Sequence, residues 1–103
     1  MTTSRQKAIG SQAERDVAAR LGGERAMGYG PIDVYAGNLN LQVKALTVQP
    51  SMNTIRAWLS AIPYAVNALR GVVVLDRPGR GQRVRRTIIF DLDEYAEWYG
   101  DGK

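Results

Sequence analysis

Two alternating runs, Pro31-Ile32-Asp33-Val34-Tyr35-Ala36 and Leu39-Asn40-Leu41-Gln42-Val43-Lys44-Ala45-Leu46, meet at the dipeptide Gly37-Asn38. That pattern predicts a β-hairpin closed by a two-residue turn, and it leaves little freedom of register. Ala36 then faces Leu39, Tyr35 faces Asn40, Val34 faces Leu41 and Asp33 faces Gln42. Because side chains alternate along a strand, Ile32, Val34, Ala36, Leu41, Val43 and Ala45 form an apolar face meant for a core. Asp33, Gln42 and Lys44 share the other face. Pro31 has no N–H to give a ladder, so it marks where the first strand starts.

The rest of the chain arranges itself around this hairpin. Ile9, Ala13, Val17 and Leu21 recur every four positions and predict a helix over residues 3–21, stopped by Gly22-Gly23. Two starts have capping-box spacing, Thr3 with Gln6 and Ser11 with Glu14. A short strand is expected at 24–27, before the Gly28-Tyr29-Gly30 loop. Beyond Gln49-Pro50, the stripe Ile55, Leu59, Ile62, Val66 and Leu69 predicts a helical segment stopped by Gly71, with a kink or break at Pro63. Val72–Leu75 reads as a strand buried on both faces, 76–82 as a loop and Arg83–Phe90 as another strand. Asp91 and Glu94 have the spacing to cap a last helix carrying Leu92, Tyr95, Trp98 and Tyr99. The expected fold class is α/β, in the order α-β-β-β-α-β-β-α, with residues 1–103 as a single domain built on one mixed sheet.

Composition narrows the chemistry. The chain has neither cysteine nor histidine, so thiolate nucleophiles, zinc–thiolate sites, Ser-His-Asp triads and imidazole bases are excluded. Any bound metal must take oxygen ligands, which points to a hard cation such as Mg²⁺. Net charge is +4, but residues 1–90 carry 13 basic and five acidic side chains, whereas 91–103 hold five acids and Lys103. Eleven of the 14 basic residues are Arg, a composition suited to phosphate as well as to an ordinary solvated surface. No apolar run approaches the roughly 20 residues of a membrane span, and the first residues lack a signal-peptide pattern, so a cytoplasmic protein is expected.

Glu14 sits on the shoulder of the first helix's apolar stripe. If that helix packs on the sheet, Glu14 approaches Asp33, and two carboxylates with the amide oxygen of Gln42 make an oxygen-donor set beside Lys44. Each residue also has an ordinary role available. Glu14 can close a capping box with Ser11, Asp33 can be a strand-edge turn residue, and a Gln/Lys alternation suits a solvated sheet face.

Gly10-Ser11-Gln12-Ala13-Glu14-Arg15, Gly30-Pro31-Ile32-Asp33-Val34 and Gln42-Val43-Lys44 resemble the three motifs of the PD-(D/E)XK nuclease superfamily. Within it, the chain is most similar to archaeal-type Holliday-junction resolvases and their small phage-borne relatives. The resemblance covers residues 4–90 and implies a restriction-endonuclease-like αβββαβ core with an extra C-terminal helix. It further implies a Mg²⁺-dependent endonuclease (Mn²⁺ as a substitute) acting on branched DNA in a bacterial or phage-infected cell. By motif matching, Glu14, Asp33 and Gln42 hold the metal, and these three with Lys44 are the catalytic set that activates a water. Two symmetric cuts in a four-way junction imply a homodimer. Gln42 departs from the pattern, which prefers an acid there. That departure motivates an alternative, a nuclease-fold DNA-binding module that has lost cleavage. A third possibility is a basic interaction protein with a solvated polar face.

Candidate DNA contacts are Arg5, Lys7, Tyr29, Arg77, Arg80, Arg83 and Arg85. Arg77, Arg80, Arg83, Arg85 and Arg86 surround one interstrand loop and suit either a basic finger on a phosphate backbone or charges that protect an edge strand. Arg85 and Arg86 must point to opposite faces. Trp58, Trp98 and Tyr99 are candidates for a subunit interface.

Overall fold

A computed structural model describes residues 4–28, 30–76 and 83–100, with side chains described from Ile9 onward in the first helix. Helix α1 (Ser4–Leu21) buries Ala13, Val17 and Ala18, as its four-residue periodicity requires. It ends in a Schellman motif. Gly22 takes the left-handed conformation at φ +66°, and the Gly23 N–H reaches back to Ala18 O at 2.8 Å. Because α1 runs unbroken from Ser4, Ser11 lies in its interior. The Ser11–Glu14 capping box does not form, and Glu14 is released for another role.

The chain then builds a five-stranded mixed sheet. Its strands are β1 (Glu24–Arg25), β2 (Val34–Ala36), β3 (Leu39–Leu46), β4 (Leu69–Asp76) and β5 (Arg85–Phe90), in spatial order β1-β2-β3-β4-β5. All neighbours are antiparallel except β3 and β4, which run parallel and are joined across one face by α2 (Met52–Ala61). Helix α3 (Leu92–Tyr99) follows β5, capped by Asp91, whose side chain accepts from Glu94 N–H as the sequence predicts.

The hairpin register is the expected one: Val34↔Leu41, Tyr35↔Asn40, Ala36↔Leu39. β2 nevertheless begins at Val34 instead of Pro31, and β1 and β5 are shorter than expected. The larger correction concerns residues 62–71. Pro63 confines Ile62 to extended backbone (φ −76°, ψ 124°), so α2 ends there and no helix follows. Val66 is 85% exposed, and Leu69, fully buried, opens β4 instead of closing a helical stripe. Gly71 is not a stop signal. It lies inside β4, where an added Cβ would come within 2.7 Å of the Phe90 ring and 2.9 Å of Leu41.

Helix α1 packs against Val34, Ala36, Leu41 and Val43 of the apolar face read from the hairpin, with Ala45 partly buried against them, and the cluster extends to Val73 and Leu75 of β4. Helix α2 lies on the opposite face, where Ile55, Ile62 and Val72 are buried. Both faces of β3 are therefore covered, and Gln42 is only 7% exposed. α3 is tied to the sheet by the Arg70–Glu94 ion pair at 3.1 Å and by stacking of Phe90 on Tyr95. No helix among the described residues is long and apolar enough to cross a membrane.

Candidate functional site

Asp33 sits where β2 leaves the sheet. The regular ladder ends at Val34↔Leu41, so the expected direct pairing of Asp33 with Gln42 does not form. The Asp33 N–H turns to Leu41 O at 2.8 Å, and its carbonyl accepts from Ala26 N–H at 2.8 Å. Its side chain replaces the missing backbone partner: Oδ2 accepts the Val43 N–H at 2.8 Å. The carboxylate is fixed at the point where the two strands separate. Burial pushes its pKa above the ordinary 3.8, the Val43 N–H works against that rise, and Glu14 adds to it by charge repulsion. Lys44 and Arg25 pull it back down by attraction. Asp33 therefore feels charges from α1, β1 and β3 together.

Glu14 reaches this cluster from α1, on the apolar face of the sheet. Its Oε1 accepts two hydrogen bonds from Arg25, from Nη2 at 3.1 Å and Nε at 3.3 Å. Gln42 and Lys44 lie on the other face of β3, beneath α2. The Gln42 amide donates to Pro31 O at 2.9 Å, while its Oε1, fully buried, has no partner. Buried polar atoms in folded proteins nearly always have one, which makes this oxygen an exception among the described residues. Lys44 is half-buried, with Nζ 5.0 Å from the centre of the Trp58 ring.

Three of the four expected site residues thus gather as charges around Asp33, Glu14 and Lys44 with Asp33 itself, and Gln42 adjoins through the Pro31 carbonyl two residues before it. Among the described residues no three Asp, Glu, His or Cys side chains cluster to hold a metal ion. The acidic part is a pair, and a third donor must come from the Gln42 amide. Each of the three side chains keeps one oxygen that no described residue donates to, Glu14 Oε2, Asp33 Oδ1 and Gln42 Oε1, and oxygens of this chemistry are the donors a hard cation takes. A cleft of about 540 Å³ between α2 and β4–β5, lined in part by Leu46, Val74, Asp76 and Arg85, reaches the level of Lys44 at its ladder partner Val74 and includes none of the three donors.

The candidate DNA contacts divide. Arg83 is exposed and has no acidic partner among the described residues. Arg85 is paired across the strands with Asp76, and Arg86, on the opposite face as alternation requires, is paired with Asp16 of α1. Tyr29, Arg77 and Arg80 lie outside the described residues, as do the side chains of Arg5 and Lys7. Trp98 and Tyr99 are exposed on α3, whereas Trp58 is spent on Lys44. Sequence reasoning missed Arg25. The available signal was the Gly22-Gly23 reversal, which sends the chain back along α1 and returns Arg25 to Glu14, about two turns before the helix end. Comparison with protein-family models, curated proteins and solved structures finds no match for this chain.

Proposed function

We propose that the protein is a Mg²⁺-dependent endonuclease that hydrolyses phosphodiester bonds in structured DNA, in the manner of the Holliday-junction resolvases its motifs resemble. The observation that carries this reading is the arrangement around Asp33. A half-buried carboxylate feels the charges of Glu14 and Lys44, and the Pro31 carbonyl two residues before it accepts from the buried Gln42 amide, whose oxygen has no partner. Two half-buried acids within each other's field repel unless a counter-charge offsets them; Arg25 does so in part, and a bound cation would complete it, which supports reading the pair as a site. Glu14, Asp33 and Gln42 are the residues that hold Mg²⁺, with Mn²⁺ as a substitute; the bound ion supplies Lewis acidity toward a phosphate and its attacking water. Asp33 is locked by the Val43 N–H, so it meets its ligand without reorganising. Lys44, steadied by the Trp58 ring, offers an ammonium to the negative charge that grows on the phosphoryl oxygens during in-line attack. The exposed Arg83 edge contributes to backbone binding. By the same resemblance the working form is a homodimer in the cytoplasm of a bacterial or phage-infected cell.

The neutral Gln42 supports a second reading, a nuclease-fold module that binds DNA without cutting it, since two acids attract a divalent cation less strongly than three. One assay separates the two. Purified protein is incubated with labelled four-way junction, flap, single-stranded and duplex DNA in Mg²⁺, Mn²⁺ or EDTA. Metal-dependent nicking favouring branched DNA supports the nuclease. Retarded migration without nicking supports the binding module, and neither result discards both.

A further inference from the structure

We infer that Arg25 is a positioning residue that orients Glu14 toward the cation, an inference resting on the metal-site reading above. The chain invests local structure in placing it. Gly23 lies against β2 so closely that an added Cβ would sit 2.3 Å from Tyr35 O, and this close approach seats the two-residue strand β1 beside β2. The pairing Arg25↔Val34 then sets Arg25 across from the residue that follows Asp33, on the sheet face that α1 covers.

From there the guanidinium does not grip both oxygens of Glu14 as a matched fork. Nε and Nη2 both point at Oε1. That one-sided grip fixes the carboxylate rotation and leaves Oε2 for another ligand. Both side chains are largely withdrawn from water, at 33% and 22% exposure, so the geometry is not one of many exchanged on a mobile surface. Arg25 is also close enough to Asp33 to favour its ionised form. Two roles follow. In the metal-free protein Arg25 offsets repulsion between the two carboxylates, and with metal it holds one ligand in its binding orientation.

The two contributions have opposite signs, which makes the inference testable. Removing a positive charge beside a cation site, by Coulomb attraction alone, tightens cation binding. Losing the orientation of Glu14 weakens it. Positioning dominates here, so Arg25→Ala and Arg25→Met lower Mn²⁺ affinity about tenfold or more, the scale typical of residues that orient metal ligands, and Arg25→Lys recovers part of the loss. Mn²⁺ binding is measured directly by electron paramagnetic resonance on the protein without DNA, with thermal melting in EDTA to verify folding. Arg25→Met keeps the apolar stem and decides the question should Arg25→Ala not fold. Affinity equal to or tighter than wild type in either folded variant overturns the inference while leaving the site intact. A wild-type protein that binds no Mn²⁺ overturns the site and the inference together.

Discussion

The unpartnered Gln42 oxygen predicts that this chain carries an instability at its own site. Gln42→Met is nearly volume-conserving at a position 7% exposed, so the change is chiefly one of polarity. The substitution removes the hydrogen bond from the Gln42 amide to Pro31 O, a loss of about 1 kcal/mol, and Pro31 is accessible enough for water to take its place. It also removes a buried acceptor without a donor, a gain of about 1–3 kcal/mol. The net is a stabilisation of about 1 kcal/mol in EDTA, or a rise in Tm of about 4–8 °C for a domain of this size. Mg²⁺ should reverse the order of benefit. Wild type gains stability as the ion binds only the folded site, about 2.7 kcal/mol at a hundred times Kd, and the methionine variant gains much less. Circular dichroism melts with EDTA and with graded Mg²⁺ read both effects. A variant less stable than wild type in EDTA by 1 kcal/mol or more would show that Oε1 is satisfied in the protein and that the polar gap is not a ligand position.

Three further outcomes follow. Because Asp33 holds its proton more tightly folded than unfolded, its contribution to stability is fully present below pH 3.8 and is lost as pH rises through the native pKa. Asp33→Asn should therefore melt higher than wild type at neutral pH in EDTA, with the advantage vanishing in acid; an advantage that does not change with pH refutes this. Gln42→Glu puts a charge in a buried position, so in EDTA it should cost more than the roughly 0.2–1 kcal/mol of an exposed like-charge pair, and Mg²⁺ should restore more stability than it adds to wild type. Arg83→Ala should weaken DNA binding and reduce the slope of log K against log salt by about one, whereas Arg85→Ala, already neutralised by Asp76, should change it less; equal effects would discount the ion pair.

Much of this architecture is legible in the residues, and the exceptions share a cause. The Gly37-Asn38 turn set the β2–β3 register correctly because a two-residue loop admits so few alternatives, and the order of eight elements followed from periodicity and glycine–proline punctuation. Val66 and Leu69 misled because they continue the helical spacing of Ile55, Leu59 and Ile62 past a proline, and the constraint of Pro63 on Ile62 outweighed the pattern. At the site, spacing brought Asp33, Gln42 and Lys44 together but could not show that Asp33 would give up its ladder position to accept the Val43 N–H. Burial of Gln42 was hidden for a different reason. An alternation of Asn40, Gln42 and Lys44 reads as solvated until α2 is laid over it, and that is a tertiary event. Arg25 depends on a chain reversal followed by an ion pair across eleven residues, which local pattern does not encode.

The most direct test of the central claim is single-turnover cleavage of a labelled four-way junction by wild type and Asp33→Asn at matched, saturating protein, with binding measured in parallel in Ca²⁺. Wild type is expected to cleave only with Mg²⁺. Asp33→Asn is expected to lose cleavage with junction binding kept or tightened, because the variant loses a metal ligand and a charge that repels phosphate. Cleavage by Asp33→Asn at the wild-type rate would contradict that claim.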